Sequence, residues 1–213
     1  MIRLMRQWRD ARMNGILHAM LALAIFAVLG VHEASAGGAT DAMKGTIDEV
    51  LRILNDQELK QPSKAEQRRQ MLERVVGERF DYAEMSRRAL GAPWANLSDG
   101  ERQEFVELFQ TLLVNSYADK VESYSGEGVH YVNERTEKEY AEVRTKVLNG
   151  KTEIPLDYRL LHKASVWRVY DVVVDGVSLV NNYRGQFTKI LRNGTFSELL
   201  GQLRKKSDKI KTP

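Results

Sequence analysis

Residues 167–187 read WRVYDVVVDGVSLVNNYRGQF and join the C-terminal part of a predicted sheet to a helix. The first half is rich in β-branched residues, which is typical of a strand, and Asp175-Gly176 is typical of a tight turn. Ser178 directly precedes the apolar period of the helix and is placed to cap its N-terminus. The segment therefore predicts a strand that turns once and continues into a helix packed on the sheet.

Asp171 stands in the apolar part of this strand and is followed by three valines. A buried carboxylate needs a charged or hydrogen-bonding partner. Arg184 on the next helix is the nearest candidate, so we predict an ion pair between Asp171 and Arg184 that fixes the helix against the sheet. These two residues, together with Tyr170, also leave open an alternative function, that of a secreted enzyme acting on lipid or envelope polymer.

Upstream of this stretch, two segments alternate apolar and polar side chains with the period of a half-buried strand. They are residues 140–148, YAEVRTKVL, and residues 152–163, TEIPLDYRLLHK. Asn149-Gly150 between them is a strong hairpin signal, and Ala164-Ser165 marks a second tight turn. With a further strand in residues 128–135, the pattern predicts an antiparallel meander of about four strands.

The N-terminal half has the period of amphipathic helices instead. The first predicted helix carries a stripe of apolar residues on one face, namely Met43, Ile47, Val50, Leu51 and Leu54. Three four-residue stretches match the helix-starting capping box, and they begin at Ser63, Ser98 and Thr195. Helices followed by strands predict an α+β fold, with N-terminal helices and a C-terminal helix pair packed on a twisted antiparallel sheet.

The first 36 residues have the organisation of a secretory signal peptide. Four arginines fall within the first twelve residues, an apolar run follows, and Ala34-Ser35-Ala36 forms a cleavage motif. The apolar run is short for a membrane span, which needs about 20 residues. We therefore expect cleavage near Ala36, export to the periplasm, and a single domain over residues 37–213.

Composition excludes several classes of function. Without the leader, the chain carries 28 basic and 27 acidic residues, so its charge gives no basis for nucleic-acid binding. It has no cysteine, and His130 and His162 have no second ligand at useful spacing, so neither a metal nor another cofactor is expected. Ser178 lies in GVSLV, which lacks the second glycine of a hydrolase elbow. We therefore predict no catalytic residue and a protein that is not an enzyme.

The pattern W-x-V-Y-D-V-x-x-x-G-V-S-L-V-x-N-Y-R-x-Q-F in residues 167–187 resembles the signature of the MlaC family, also called toluene-tolerance auxiliary proteins. The stretches Arg79–Gly91 and Trp94–Phe105 also resemble this family. The resemblance implies a soluble periplasmic phospholipid carrier that maintains outer-membrane lipid asymmetry. Its expected partners are an inner-membrane ABC transporter with its substrate-binding ring and an outer-membrane lipoprotein–porin complex. A hopanoid-associated branch of the family remains an alternative.

A carrier of this kind must enclose the lipid tails in an apolar pocket. The candidate lining residues are Phe105, Leu108, Phe109, Leu112, Val143, Val147, Leu156, Tyr158, Leu160, Trp167, Val169 and Tyr183. Arg184, with Asn182 and Tyr183, would either meet the lipid phosphate or form the ion pair with Asp171. These residues constitute the predicted lipid-binding site.

Overall fold

A computed structural model describes residues 38–122, 124, 128–150 and 152–211. The signal peptide and the cleavage near Ala36 that we expect from the sequence lie outside these residues. Within the described residues, no helix is both long enough and apolar enough to cross a membrane.

The described residues contain six α-helices, four before the sheet and two after it. They are α1 (Ala39–Asn55), α2 (Ala65–Arg79), α3 (Tyr82–Leu90), α4 (Asp99–Glu122), α5 (Leu179–Asn193) and α6 (Phe196–Lys211). Two short 3₁₀ helices lie in the connections, at Pro62–Lys64 and Ala92–Asn96. The order of helices, sheet and helix pair is the one that the sequence predicts.

The sheet is a fully antiparallel meander in which each strand pairs with the next along the chain. Its strands are β1 (Val129–Glu137), β2 (Tyr140–Asn149), β3 (Thr152–Lys163), β4 (Val166–Val174) and β5 (Val177–Ser178). The described sheet thus has five strands instead of about four, because the turn after β4 allows two residues to pair before α5 begins. The α+β class is confirmed.

The turn and cap signals of the opening stretch appear in the structure. Asp175 and Gly176 both adopt positive φ, 48° and 78°, which gives the hairpin turn between β4 and β5. Ser178 accepts a hydrogen bond from the Asn181 amide at 3.0 Å and caps α5. Ser98 likewise caps α4, but Ser63 falls inside a 3₁₀ helix and α2 begins at Ala65 without a side-chain cap.

A bulge in the middle of the sheet sets which side chains face which way. Arg159 pairs with Asp171 and Leu160 pairs with Val169, so Tyr170 is the additional residue of β4. The inner face of the sheet points towards α1 and α2, and the outer face carries Arg159 and Asp171. The bulge thereby places Asp171 opposite Arg159 on the outer face, while Val169 stays with Leu160 on the inner face.

The helices α3, α4, α5 and α6 form a densely packed core of their own. Aromatic rings meet at its centre, with Phe109 5.1 Å from Tyr183 and 5.4 Å from Phe187 between ring centroids. A second cluster lies between α1 and the inner face of the sheet, around Met43 and Val143. We call the first cluster the helical core.

Candidate functional site

A cavity of about 380 Å³ lies between α1, α2, the second half of α4 and the inner face of the sheet. Its lining is almost entirely apolar. Helix α1 contributes the whole stripe that the sequence predicts for its apolar face, namely Met43, Ile47, Val50, Leu51 and Leu54. Those residues therefore face a space that no side chain of the described chain fills.

Helix α4 faces the cavity with a different side from the one that we expect from the sequence. Its lining residues include Leu113, Val114, Tyr117, Ala118 and Val121. The predicted residues are instead part of the helical core or packed against it, and they are Phe105, Leu108, Phe109 and Leu112. Helix α4 is thus apolar on two faces, and the predicted lining residues belong to the face that packs against other helices.

The sheet contributes three of the predicted residues, Val147, Leu156 and Tyr158, to the cavity wall. Other predicted residues pack under α1 instead of lining the cavity, and they are Val143, Leu160, Trp167 and Val169. Tyr183 packs in the helical core against Phe109. The inner face of the sheet is thus partly covered by α1 and partly open to the cavity.

Several lining residues were not among the predicted site residues. Helix α2 presents Leu72 and Val76, and the segment that follows it presents Phe80, Tyr82 and Met85. Their apolar spacing assigns them to a buried helix face, but periodicity does not distinguish a face that meets other side chains from one that meets a ligand. Only the relative positions of α2 and the sheet reveal them.

Charged residues tie α2 to α4 beside the cavity. Arg68 donates a hydrogen bond to Glu122 at 2.7 Å. Arg69 contacts Glu73 at 2.9 Å and donates to the Asn115 side-chain oxygen at 2.7 Å. The hydrogen bond to Glu73 raises the pKa of Arg69 above its ordinary value. The cations at this side of the cavity are therefore already compensated by the protein.

Two tyrosine hydroxyls of the cavity wall, those of Tyr82 and Tyr158, stay uncharged. Burial raises the pKa of Tyr82 to about 12, and it raises the pKa of Tyr158 further. Removal of water disfavours the phenolate in both residues. These two hydroxyls therefore add no charge to the wall at physiological pH, which suits an apolar ligand.

The predicted ion pair between Asp171 and Arg184 is wrong. Asp171 is 3% exposed, and its Oδ1 accepts from the Val180 amide at 3.0 Å. Its Oδ2 accepts from the Ser178 hydroxyl at 2.6 Å and from Arg159 at 3.2 Å. The start of α5 therefore supplies two of the three partners, and the third comes from the paired residue on β3.

Arg184 lies further along α5 and faces the C-terminus of α3. Its Nε donates to the Arg88 carbonyl at 2.8 Å, a bond that satisfies one of the last carbonyls of α3. Asp171 is thus bonded to Ser178, Val180 and Arg159, and Arg184 is bonded to a backbone carbonyl instead of this carboxylate. Arg184 is thus not part of the apolar cavity.

Metal-binding arrangements are absent from the described part of the chain, where no cluster of three or more His, Asp or Glu side chains occurs. His130 is exposed on β1, and the His162 ring lies tilted against Trp167 at 4.7 Å between centroids. Neither histidine is therefore part of such a cluster.

Comparison with known proteins gives a consistent family. The family described as MlaC protein matches residues 44–205 of the chain. Toluene tolerance protein ttg2D of Pseudomonas putida is 26% identical over 179 residues, which cover 82% of each protein. The intermembrane phospholipid transport system binding protein MlaC of Haemophilus influenzae is 22% identical over 122 residues, or 54% of this chain and 57% of that protein.

One solved structure has the same fold over most of its length. It is a phospholipid-binding protein from Ralstonia solanacearum in complex with a phospholipid, with 25% sequence identity and a TM-score of 0.73. The match covers 82% of this chain and 99% of that one.

Proposed function

The chain belongs to the MlaC family, and from that premise we propose that it binds a phospholipid and carries it, without catalysis, through the periplasm. In this proposal it exchanges lipid with an inner-membrane ABC transporter that has a substrate-binding ring. The other partner is an outer-membrane lipoprotein–porin complex, and the exchange maintains the lipid asymmetry of the outer membrane. The proteins to which the chain is similar include a phospholipid transport binding protein and a phospholipid complex.

The open apolar cavity carries the proposal. Burial of a methylene is worth about 0.8 kcal/mol, so two acyl tails of roughly 30 methylenes would cost on the order of 24 kcal/mol to expose to water. A carrier between membranes must offset that cost with apolar wall. The cavity provides such a wall on three sides, from α1–α2, from α4 and from the sheet.

The chemistry of the wall fits lipid tails better than it fits a reacting substrate. Tyr82 and Tyr158 in the wall stay neutral, and Arg69 is paired with Glu73. Asp171, which a catalytic reading of the sequence would use, does not line the cavity and has its oxygens occupied by protein donors. The proposed binding site is therefore the cavity, with Val147, Leu156 and Tyr158 from the original prediction.

Filling the cavity tests this function. Ala118 is a small residue on the cavity side of α4, so Ala118→Trp should place an indole in the space proposed for the tails. Ala83→Trp adds the same ring at an exposed position of α3 and is the matched control. Native mass spectrometry and solvent extraction of protein from a periplasmic fraction should show bound lipid in the parent and in Ala83→Trp. Ala118→Trp should lose most of it.

The identity of the extracted lipid separates the phospholipid proposal from the hopanoid alternative. A glycerophospholipid as the main species supports the proposal. A hopanoid as the main species would instead support the hopanoid-associated alternative. Parent protein that is empty and accepts no labelled lipid from vesicles would contradict both. Equal lipid content in Ala118→Trp and the parent would show that the tails lie elsewhere.

A further inference from the structure

A second, polar cleft of about 210 Å³ lies on the other side of the sheet from the apolar cavity. Tyr158 and Val172 are paired across β3 and β4 and line the cavity, whereas their chain neighbours Arg159 and Asp171 are paired and line the cleft. Alternate residues of a strand point to opposite faces. The cleft is therefore separated from the proposed lipid site by the thickness of the sheet.

Three arginines from three different elements converge on this cleft. Arg88 comes from α3, Arg159 from β3 and Arg184 from α5, and Asp171 is the only carboxylate among the residues that line it. Two glutamates that do not line the cleft form ion pairs with two of these arginines, but each glutamate also pairs with a further arginine. Those pairs are Glu84 with Arg87 and Arg88, and Glu142 with Arg144 and Arg159. The cleft therefore keeps an excess of positive charge.

In each guanidinium, at least one nitrogen is bonded to a described residue and at least one other nitrogen is not. Arg184 is fixed through Nε to the Arg88 carbonyl, and Arg159 is fixed at 3.2 Å to Asp171. Arg88 is fixed through Nε to Glu84 at 2.6 Å, with its guanidinium carbon 4.0 Å from the centre of the Tyr170 ring. In the described part of the chain, the terminal nitrogens of Arg88 and Arg184 have no hydrogen-bond partner. Fixed arginines with free N–H groups are suited to bind an anion with several oxygens.

From this convergence we propose that the cleft is a binding site for a phosphate group. A carboxylate offers two oxygens and one charge, whereas a phosphate monoester offers three oxygens and a charge of about −1.5 to −2 at neutral pH. The latter matches the excess of two arginine charges over the single Asp171 in the lining. The phosphate belongs either to a soluble phosphate compound or to the headgroup of an anionic lipid at a membrane surface. This site is independent of the apolar cavity.

Asn181 provides a test that keeps the fold. It lines the cleft at the third residue of α5, where an acidic side chain is favourable with the helix dipole. Asn181→Asp should therefore fold normally while placing a carboxylate among the arginines. Asn182→Asp adds the same charge at the next, exposed position, which does not line the cleft, and is the matched control.

The measurement is an NMR titration of purified protein with inorganic phosphate and with glycerol 3-phosphate. We expect saturable shifts at the arginine Nε–H groups of the cleft and at Asn181. Asn181→Asp should weaken binding at least about tenfold, and so should Arg184→Gln, since each removes charge-assisted hydrogen bonds or adds a competing anion. Asn182→Asp and Arg192→Gln, on the same helix, should change it less than about threefold.

Co-sedimentation with vesicles of phosphatidic acid or of phosphatidylcholine distinguishes the two sources of phosphate. Selective binding to phosphatidic acid that Asn181→Asp abolishes assigns the site to a lipid headgroup. Phosphate binding that Asn181→Asp abolishes, without any such vesicle binding, assigns it to a soluble compound. The proposal is overturned if neither form of phosphate binds, or if Asn181→Asp and Asn182→Asp weaken binding equally, since that indicates diffuse attraction.

Discussion

The two halves of α4 lie in very different surroundings although both are rich in apolar residues. In the first half, Phe105 and Phe109 meet other aromatic rings, including Phe187 at 5.5 and 5.4 Å between centroids. In the second half, Leu113 and Tyr117 face the cavity. One half of the helix is thus packed like a protein interior, and the other borders a space large enough for a ligand.

This difference assigns separate tasks to the two regions. Flat rings that meet edge to face fill the helical core, so its contacts contribute to the stability of the fold. Around the cavity, α2 is linked to α4 through side-chain bridges such as Arg68 to Glu122 and Arg69 to Asn115. We therefore expect substitutions in the helical core to lower stability and substitutions around the cavity to change binding.

The largest effect should come from Phe109→Ala in the helical core. The side chain is fully buried and its ring contacts Tyr183 and Phe187. Loss of the ring should lower the free energy of unfolding by about 3–5 kcal/mol, because the contacts disappear and a void remains. Chemical denaturation followed by circular dichroism measures this loss. A decrease below about 1 kcal/mol would contradict the view that this region is solidly packed.

Asp171→Asn should have the second-largest effect. The carboxylate accepts three hydrogen bonds, from Ser178, Val180 and Arg159. The asparagine amide has one acceptor oxygen instead of two and no negative charge, so it cannot replace all three. We expect a loss of about 2–3 kcal/mol of stability. Asp157→Asn is the matched control, because Asp157 lies on β3 on the same face of the sheet as Arg159 and Asp171. It should change stability little. If Asp171→Asn unfolds like the parent, the carboxylate does not brace the start of α5.

Much of the fold was predictable from local signals. The turn at Asp175-Gly176 and the cap at Ser178 depend on neighbouring residues alone, so the sequence contains what is needed to recognise them. The partner of Asp171 was not predictable in this way. Arg159 becomes its neighbour through the bulge at Tyr170, and a bulge changes the register without a clear sequence signal.

The third effect concerns Tyr82 in the cavity wall and appears only at high pH. An unfolded tyrosine titrates near pH 10, whereas burial raises the pKa of Tyr82 to about 12. The neutral side chain therefore contributes stability that is fully present below pH 10 and is lost as the pH rises to 12. At pH 11 the stability lost through this titration is about 1.4 kcal/mol.

Tyr82→Phe removes that titration and provides the measurement. Denaturation of the parent and the variant between pH 8 and pH 11.5 should give a stability difference that shifts in favour of the variant above pH 10. Burial also raises the pKa of Tyr158, so both proteins should lose stability over this range, the parent by more. Parallel curves would show that Tyr82 is hydrated and that this wall of the cavity is wet.

The position of the cavity was less predictable than its chemistry. The apolar stripe predicted for α1 faces the cavity with every residue, although no α1 residue was among the predicted lipid-binding residues. On α4, the sequence has two apolar faces, one through Phe109 and one through Val114 and Ala118, and nothing in their spacing says which one meets side chains. That choice depends on where α5 and α6 pack, which is a long-range property.

The smallest effect should come from Val50→Ala, paired with Val180→Ala as its counterpart in the helical core. Both changes remove the same two methyl groups from a helix. Val180 is 4% exposed and surrounded, so its loss should cost about 2 kcal/mol, whereas Val50 borders the cavity and should cost less than about 1 kcal/mol in protein without lipid.

Bound lipid should make the destabilisation by Val50→Ala larger than it is in protein without lipid. If tails occupy the cavity, they pack against Val50, and the variant loses those contacts only when lipid is present. A ligand that binds the folded state raises its stability by an amount that grows with the logarithm of the ratio of ligand concentration to Kd. The stabilisation by lipid should therefore be smaller in Val50→Ala than in the parent and unchanged in Val180→Ala. Equal stabilisation in all three proteins would place the lipid outside this cavity.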